Sequence, residues 1–522
     1  MHKIAKTDHI YFMGIAGTGM GSVAGLLREA GYRVSGSDQQ IYPPMSDLLA
    51  GLDIPLYTPY AAENIRVAQP DLVVVANALS RGHEELEAVL QAQIPYTSFP
   101  ALLGEVFLRT PDAVNIVVSG THGKSTTSAW LAWILQQLGE SPSYFIGGVP
   151  KGGDKGYHLG KGRVFILEGD EYDTAFFDKK SKFLHYNPTL VVINNIEYDH
   201  ADIFPNLEAV QQAFCELAAP VVPPANIIVN GDDVHIRTLC AQERLPQGVT
   251  CFATDRRDLA DVSTPVQLQR SVYQPGRKQW AHELRCGAEN YTIYSPNGGA
   301  HNGANLAAIF SVLLRLRELE VIRCGDPQAW VQAAATFPGV KRRQEFLGQV
   351  ANILFFRDFA HHPSAVRAMI RFFRDAYPDY RLFCAFDPKN ATSRRSVFEP
   401  QYAEAFMHSD FTLLGPCQVD ARIPAPQRMD TKRLAAGVGA HCLAFDSIVD
   451  MRRFLLANLR PGDCVVMFSC GAFSQLGEQV PHEPPLRHPA PEHPSSAPPT
   501  SFSSLASCGR GGGKHVLLAP PL

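Results

Sequence analysis

Residues 120–126 read Gly120-Thr121-His122-Gly123-Lys124-Ser125-Thr126. The apolar run at 115–119 predicts a strand before this stretch, and residues 125–138, which end at Gly139, predict a helix after it. In a glycine turn between a strand and a helix, backbone N–H groups surround phosphate oxygens and the helix N-terminus adds positive potential. The stretch therefore predicts an ATP-binding loop.

Within this loop, side-chain chemistry suggests separate roles. The Lys124 ammonium is expected to reach the terminal phosphates, and the Ser125 hydroxyl, helped by Thr126, is expected to contact Mg²⁺. The loop is shorter than G-x-x-x-x-G-K-[ST], so a plain glycine turn with a solvated lysine is the alternative.

Acidic clusters follow the next two predicted strands, at 164–167 and 190–193. They read Glu168-Gly169-Asp170-Glu171-Tyr172-Asp173 and Asn195-Ile196-Glu197-Tyr198-Asp199-His200. In a parallel sheet the ligand crevice lies at the carboxyl ends of the strands, so both clusters are predicted beside the phosphate loop. A Glu and a His delivered there can reach a metal that bridges two substrates. Any single acid, taken alone, is also compatible with a solvated loop.

A second glycine-rich turn lies near the N-terminus, Gly14-Ile15-Ala16-Gly17-Thr18-Gly19-Met20-Gly21, and Asp38 follows about twenty residues later. It lies between a predicted strand and a predicted helix and suits any pyrophosphate, so NAD and a nucleotide-linked sugar are both possible guests. An NAD-dependent dehydrogenase is thus a rival hypothesis, although it leaves residues 120–126 unexplained. Close packing of the glycines is a third possibility.

Length and composition limit the function classes. At 522 residues the chain is expected to form about three domains. A formal charge of −4 supplies no basic field for nucleic acid, and the eleven cysteines contain no C-x-x-C pair that would indicate a zinc ribbon. No apolar run of membrane-spanning length occurs, so neither export nor membrane insertion is expected.

Strand-and-helix alternation predicts an α/β fold. Further apolar runs lie at 227–229 and, after Pro338, at 353–356, 382–386, 411–414 and 464–468. We predict a Rossmann-like N-terminal domain (1–111), a P-loop ATPase-like central domain with a parallel sheet (112–337) and a Rossmann-like C-terminal domain (338–480). Residues 481–522, rich in Pro, Ser, Gly and His, predict a disordered tail, and its stretch 509–514 resembles a phosphate loop only faintly.

Taken together, the motifs resemble the Mur ligase family of peptidoglycan synthesis over about residues 8–475. The resemblance extends, in the family's order, to His301-Asn302-Gly303-Ala304-Asn305, Phe337-Pro338-Gly339-Val340-Lys341-Arg342-Arg343 and Asp358-Phe359-Ala360-His361-His362-Pro363.

The resemblance implies a role for each group of residues. Catalytic roles are expected for Lys124, Glu168, His200, Arg342, Arg343 and Asp358. The implied Mg²⁺ ligands are Ser125, Glu168 and His200. ATP is expected at residues 120–126 with Asn302, Asn305 and Asp358. The UDP-linked substrate is expected at Gly14, Ala16, Gly17, Thr18, Gly19, Met20 and Asp38.

The resemblance also implies a reaction. Residues 203–219 contain no lysine. In this respect the chain resembles the branch of the family that acts on UDP-N-acetylmuramate itself. The segment 168–179 resembles members that attach L-alanyl-γ-D-glutamyl-meso-diaminopimelate with ATP and Mg²⁺ in murein recycling. Attachment of L-alanine is the alternative. The segments 386–395 and 469–473 depart from the family pattern. A cytoplasmic monomer or weak dimer with small-molecule substrates, without nucleic acid or membrane partners, is expected.

Overall fold

The structure is a computed structural model, and it describes residues 4–42, 45–253 and 263–468. The predicted disordered tail, the divergent segment 469–473 and the faint loop at 509–514 lie outside the described residues. Within them, no helix is both long enough and apolar enough to cross a membrane.

The first unit is a parallel sheet with helices. Its elements are β1 (His9–Met13), α1 (Thr18–Glu29), β2 (Arg33–Ser37), α2 (Met45–Ala50), β3 (Leu56–Tyr57), α3 (Ala62–Ala68), β4 (Leu72–Val75), α4 (Glu84–Gln91), β5 (Tyr96–Thr97) and α5 (Phe99–Leu103), followed by a π-helical turn (Gly104–Leu108). The strand order is β3-β2-β1-β4-β5, with every pair parallel. All of β1 is buried, as expected for a central strand covered on both faces.

The second unit carries the predicted phosphate loop. Its elements are β6 (Val114–Ser119), α6 (Lys124–Gln137), β7 (Ser143–Phe145), β8 (Tyr157–His158), β9 (Val164–Glu168), β10 (Asp173–Ala175), β11 (Asp178–Ser181), β12 (Leu190–Ile193), α7 (Leu207–Ala218), β13 (Ile227–Asn230), α8 (Val234–Ala241), β14 (Thr250–Ala253), β15 (Ser263–Gln274), β16 (Gln279–Cys286), β17 (Glu289–Ser295), α9 (Ala300–Glu318) and α10 (Pro327–Ala335). Short 3₁₀ helices occupy Lys182–His185 and Pro224–Asn226.

The central sheet has the order β17-β16-β15-β14-β13-β12-β6-β9-β7-β8. Strands β12, β6 and β9 are parallel neighbours, so the three strand ends predicted to meet do lie side by side. One feature departs from the predicted parallel sheet: β15, β16 and β17 form an antiparallel extension at one edge, and β8 pairs antiparallel with β7 at the other. The sheet is therefore mixed, with a parallel centre.

The third unit is a further doubly covered sheet. Its elements are β18 (Glu345–Val350), β19 (Ile353–Asp358), α11 (Pro363–Ala376), β20 (Arg381–Phe386), α12 (Glu399–Phe406), β21 (Phe411–Leu414), α13 (Thr431–Val438), β22 (Cys442–Ala444), α14 (Ile448–Asn458) and β23 (Asp463–Phe468), with 3₁₀ turns at Ser396–Phe398 and Ala425–Gln427. The order is β18-β19-β23-β20-β21-β22, and only the β18–β19 pair is antiparallel among these described strands.

The joint before the third unit is fastened to the phosphate-loop helix. Trp130 of α6 is fully buried, stacks on Phe337 at a centroid distance of 5.0 Å and donates a hydrogen bond to the Ala334 carbonyl at 3.0 Å. An aromatic pair of this kind fixes the angle at which the chain leaves the central unit. The fold class is as predicted, whereas the domain boundaries drawn at 111, 337 and 480 stay predictions.

Candidate active site

The phosphate loop is built around two glycines in the left-handed region of backbone conformation. Gly120 has φ +128° and Gly123 has φ +83°. A Cβ on Gly120 would lie 3.0 Å from the Asn195 backbone nitrogen, and one on Gly123 would lie 2.7 Å from Asn305 Oδ1. Both conformation and space therefore require glycine here, and the loop is held between the end of β12 and the start of α9.

Lys124, the first residue of α6, points back into this loop. Its Nζ donates to the Gly120 carbonyl at 2.7 Å and to the Glu171 carboxylate at 3.1 and 3.0 Å. Burial acts to lower the pKa of Lys124, but the nearby carboxylates, Glu171 above all, outweigh it and raise the pKa. The lysine is therefore charged and available for a phosphate.

Ser125 and Glu168 form the predicted metal pair. Ser125 Oγ donates to Glu168 Oε1 at 2.8 Å, and the Gly147 amide donates to Glu168 Oε2 at 2.7 Å. Burial raises the pKa of Glu168, against the opposing charge of Lys124 and the hydrogen bond from Ser125. A carboxylate and a hydroxyl are hard oxygen donors, the type that Mg²⁺ prefers, so these residues fit that ion.

His200 is joined to this group through Glu171. His200 Nε2 lies 3.0 Å from Glu171 Oε1, and Tyr172 packs on the imidazole at a centroid distance of 4.2 Å. Burial would lower the pKa of His200, but the hydrogen bond that it donates to Glu171 and the charge of Asp199 raise it. Glu171, which the sequence placed in the acidic cluster without a role, thus connects Lys124 to His200.

Thr121 and His122 hold the loop to the segment after β12. Glu197 donates its backbone N–H to Thr121 Oγ1 at 2.8 Å, and His122 donates its backbone N–H to Asn195 Oδ1 at 2.7 Å. The His122 ring lies against the third unit, with Nε2 2.9 Å from Ser364 Oγ. Thr126 lies in the first turn of α6.

Asn302, Asn305 and Asp358 are connected by Gln344, a residue absent from the predicted set. Asn305 Nδ2 donates to Asn302 Oδ1 at 3.0 Å, and Asn302 Nδ2 donates to Gln344 Oε1 at 3.3 Å. The Gln344 backbone N–H donates to Asp358 Oδ2 at 2.8 Å. Asp358 is buried, and burial raises the pKa of its carboxyl group against the charge of Arg343.

The two predicted arginines differ in position. Arg342 is exposed, has φ +61° and donates its backbone N–H to Glu345 Oε2 at 2.9 Å. Arg343 lies over the Phe359 ring at 4.9 Å, and its charge opposes the rise in pKa that burial causes at Glu168 and Asp358. Arg343 is therefore the one of the two that acts electrostatically on the site.

Lys151 is a further cation that the sequence did not single out. Its segment is bonded to the interdomain joint, since the Lys151 N–H donates to the Gly339 carbonyl and the Lys341 N–H to the Val149 carbonyl, both at 2.8 Å. Burial lowers the pKa of Lys151, opposed by the charges of Glu345 and Asp358. No sequence motif includes this lysine. It lies near Asp358 because its segment is hydrogen-bonded to the joint between the second and third units.

The N-terminal glycine turn lies at the end of β1, where its carboxyl-end position suits a ligand. Asp38 closes the turn: its Oδ2 accepts the Ala16 N–H at 2.9 Å, and its Oδ1 lies 3.3 Å from the Tyr60 hydroxyl. Gly17 and Thr18 are exposed, whereas the Met20 side chain is 5% exposed and packs in the core. Any contact from Met20 is therefore restricted to its backbone.

Direct contacts thus join Ser125 with Glu168 and join Lys124 and His200 with Glu171. Asn305 lies beside Gly123 of the phosphate loop, and Asn302 connects Asn305 to Gln344, whose backbone N–H is bonded to Asp358. Within the described residues, neither Arg342 nor the N-terminal turn is hydrogen-bonded to this group.

Profiles of one protein family cover the described units in order. The Mur ligase family catalytic domain matches residues 9–110, the Mur ligase middle domain matches 118–313, and the Mur ligase glutamate ligase domain matches 342–471. The chain belongs to the Mur ligase family. It is accordingly an ATP-dependent ligase that forms carbon–nitrogen bonds, and the dehydrogenase hypothesis is wrong, because the Gly14–Gly21 turn lies within the first Mur ligase domain.

Individual Mur ligases are similar over nearly their whole length. UDP-N-acetylmuramate–L-alanyl-γ-D-glutamyl-meso-2,6-diaminoheptandioate ligase of Escherichia coli K12 is 33% identical, with 90% of this chain and 97% of that protein aligned. UDP-N-acetylmuramate–L-alanine ligase of Desulforapulum autotrophicum is 29% identical over 91% and 98%. The crystal structure of a murein peptide ligase from Psychrobacter arcticus is 28% identical, covers 91% and 98%, and superposes with a TM-score of 0.66.

Proposed function

We propose that this Mur ligase joins L-alanyl-γ-D-glutamyl-meso-diaminopimelate to the lactyl carboxylate of UDP-N-acetylmuramate, giving ADP and phosphate, in murein peptide recycling. The observation that carries the proposal is the full-length likeness to the Escherichia coli ligase that is named for this tripeptide. The L-alanine ligases are similar over the same length at slightly lower identity, so they define the alternative.

The segment after β9, which resembles that of the family members that attach the tripeptide, contacts the first unit. It forms the β10–β11 hairpin, and Asn77 of the first unit donates to Asp173 Oδ1 at 2.7 Å. Tyr96 of the first unit packs against Phe176 and Phe177 of the hairpin, at centroid distances of 6.4 and 5.0 Å. The hairpin therefore borders the first unit, which is proposed to hold the UDP substrate, and the acidic cluster at 168–173.

The chemistry follows from the reactants. A carboxylate is a poor electrophile, and transfer of the γ-phosphoryl group of ATP to the lactyl carboxylate gives an acyl phosphate. We assign Lys124 and Arg343 to the charge that develops on the phosphoryl oxygens, where a fixed cation in a water-poor site is most effective. The amine of the tripeptide then attacks the acyl carbon, and phosphate leaves.

Ser125, Glu168 and His200 are the proposed Mg²⁺ ligands. Mg²⁺ bound there would neutralise phosphate charge during transfer. Ser125 and Glu168 are in contact, whereas His200 meets the group through Glu171, so Glu171 is a candidate support for the metal-binding residues. The base that accepts the amine proton is left unassigned between His361 and His362; burial lowers the pKa of both.

An acyl phosphate hydrolyses where water reaches it, so closure of the third unit over the phosphate loop is expected during turnover. The contacts of His122 with Ser364 and of Asp199 with Thr392 already bring these units together. We propose that the enzyme works as a monomer or weak dimer. We place the reaction in the cytoplasm, where ATP and UDP-linked sugars are found.

The deciding experiment measures phosphate release from ATP with UDP-N-acetylmuramate, using either the tripeptide or L-alanine as the amine. Release with the tripeptide and not with L-alanine is expected. Release with L-alanine alone would move the enzyme to the alternative reaction, and release with neither amine would exclude both substrates. Omission of UDP-N-acetylmuramate is the control for uncoupled ATP hydrolysis.

A further inference from the structure

A cluster outside the proposed magnesium ligands lies between the second and third units. It consists of His122 of the phosphate loop, Glu197 after β12 and His362 at the start of α11. One nitrogen or oxygen from each residue lies within 4.8 Å of the others. His122 Nε2 is 3.6 Å from Glu197 Oε1, and His362 Nδ1 is 3.3 Å from Glu197 Oε2.

The two histidine-to-carboxylate separations, each to a different oxygen of Glu197, are close to the distance between neighbouring ligands of a small coordination polyhedron. Zinc binds histidine nitrogen and carboxylate oxygen at about 2.0–2.1 Å, so tetrahedral ligands lie about 3.3 Å from one another. Two histidines and one carboxylate form a common donor set for zinc with an open fourth position. The side chains of His122 and Glu197 are 24% and 32% exposed, which leaves an approach for an ion.

The hydrogen bonds of His362 favour a metal-binding tautomer. The Tyr198 carbonyl lies 3.2 Å from His362 Nε2 and can only accept, so it fixes the proton on Nε2. The lone pair then lies on Nδ1, the nitrogen that faces Glu197. A backbone carbonyl bonded to the second ring nitrogen is the usual support of a metal-binding histidine.

The charge states also suit a cation. Burial would raise the pKa of Glu197, but the hydrogen bond and charge of His122 and the charge of His362 outweigh it and lower the pKa to about 2. Burial, followed by the neighbouring His122, lowers the pKa of His362. The donor types themselves suit a cation, because a carboxylate lies between two imidazoles and the Nδ1 lone pair of His362 faces it.

We propose that His122, Glu197 and His362 form a binding site for a divalent transition metal, zinc by its donor chemistry, that ties the phosphate loop to the third unit. Ser364 Oγ, 2.9 Å from His122 Nε2 and 2.8 Å from His362 Nδ1, lies between the two imidazoles. The Ser364 hydroxyl occupies the space between the two imidazoles when no ion is bound. When an ion binds, this hydroxyl either moves aside or becomes the fourth ligand. Imidazole favours zinc over Mg²⁺, so magnesium is not expected to compete strongly.

The test is calorimetric titration of the full-length chain with Zn²⁺, with Mg²⁺ in excess to occupy the proposed magnesium site. Glu197→Gln keeps the shape of the side chain but removes its charge and replaces one acceptor oxygen with an NH2 donor, and it is expected to weaken one zinc equivalent by about a hundredfold. His362→Asn is a second, independent variant with the same expectation. The cysteines and the histidines of the C-terminal segment are unchanged in every variant, so the measured quantity is the difference in zinc binding from the unsubstituted chain.

His408→Ala, which removes an exposed histidine, is the matched control and should leave that equivalent unchanged. X-ray absorption of the one-zinc form should show two imidazole ligands in the unsubstituted chain and fewer in Glu197→Gln. Equal zinc binding by the unsubstituted chain, Glu197→Gln and His362→Asn would overturn the proposal. The proposal would also be overturned if this zinc equivalent were lost in Glu168→Gln and kept in Glu197→Gln and His362→Asn. These readouts are independent of the amine that the ligase uses.

Discussion

Lys124 and Glu171 form an ion pair, with 3.0 Å between Lys124 Nζ and Glu171 Oε2, in which the carboxylate side chain is only 2% exposed. The lysine expected on the phosphates of ATP is therefore held by a protein anion. A phosphate that binds Lys124 shares it with Glu171 or replaces Glu171 as its partner, while His200 remains a second partner of the same carboxylate. We therefore predict that nucleotide binding at Lys124 affects the position of His200 through their shared partner Glu171.

Lys124→Met is expected to destabilise the protein as well as abolish phosphate release. Removal of one partner leaves a buried carboxylate with His200 as its remaining charged neighbour, which costs about 3 kcal/mol of unfolding free energy. Urea unfolding measures this cost. The double variant Lys124→Met/Glu171→Gln should regain a large part of the stability and none of the activity. Equal stability of the two variants would contradict the pairing described above.

Glu168→Gln is expected to raise the Mg²⁺ concentration for half-maximal phosphate release by about a hundredfold, because an ionised ligand is replaced by a neutral amide. The carboxamide oxygen can accept the Gly147 N–H while its NH2 group donates to Ser125 Oγ, so folding should be little changed. A magnesium titration of phosphate release checks this. Glu208→Gln, at an exposed position of α7, is the control and should follow the unsubstituted enzyme. A magnesium requirement shared by both variants would remove Glu168 from the metal.

The order of the fold was predictable where strands are uniformly apolar. The runs at 190–193 and 411–414 became β12 and β21 with the same limits, and the acidic residues after β9 and β12 met the phosphate loop because parallel strands share their carboxyl edge. Strands β15 to β17 were missed. These strands, of 12, 8 and 7 residues, mix polar and apolar side chains because this edge of the sheet is less covered. They therefore show neither a continuous apolar run nor a regular alternation of apolar and polar residues.

The site was predictable in its composition and less so in its pairing. Glu168 and Glu171 lie three residues apart in one acidic cluster, and local spacing does not decide which of them meets Ser125 and which meets Lys124. The β10–β11 hairpin that follows fixes the path of this loop. Gln344 and Lys151 carry no motif, and their positions depend on how the third unit packs on the second, which is a long-range property of the fold.

His282 predicts a pH dependence of stability. His282 lies in β16 and is fully buried between Ser271 Oγ and the carbonyl of Asn297, the latter just before α9. Burial lowers the pKa of His282 to about 4, against 6.5 for the free side chain. Between these values the unfolded chain binds a proton that the folded chain does not, so stability falls as the pH falls from about 6.5 to about 4 and then levels off. The expected loss through this residue is about 3 kcal/mol.

Unfolding free energies measured across this window should therefore fall less steeply for His282→Gln than for the unsubstituted chain. The variant will be less stable near pH 7, where the neutral imidazole is well bonded, and the difference between the two should shrink towards pH 4. A constant difference across the window would show that His282 titrates normally in the folded protein.

Lys151 predicts an effect on turnover. Its charge lies near Asp358 and Glu345, in a segment bonded to the joint of the third unit, so it is poised over the cleft where the acyl phosphate is proposed to form. Fixed cations that face developing negative charge contribute about a hundredfold to rate, and Lys151→Met is expected to lower kcat by about that factor. The KM for ATP should change much less, because Lys124 and the loop amides are untouched. Lys161→Met, at an exposed position of the same unit, is the matched control. If both variants kept the kcat of the unsubstituted enzyme, Lys151 would serve only to hold the joint, and the cation for the acyl phosphate would have to be sought at Arg343 alone.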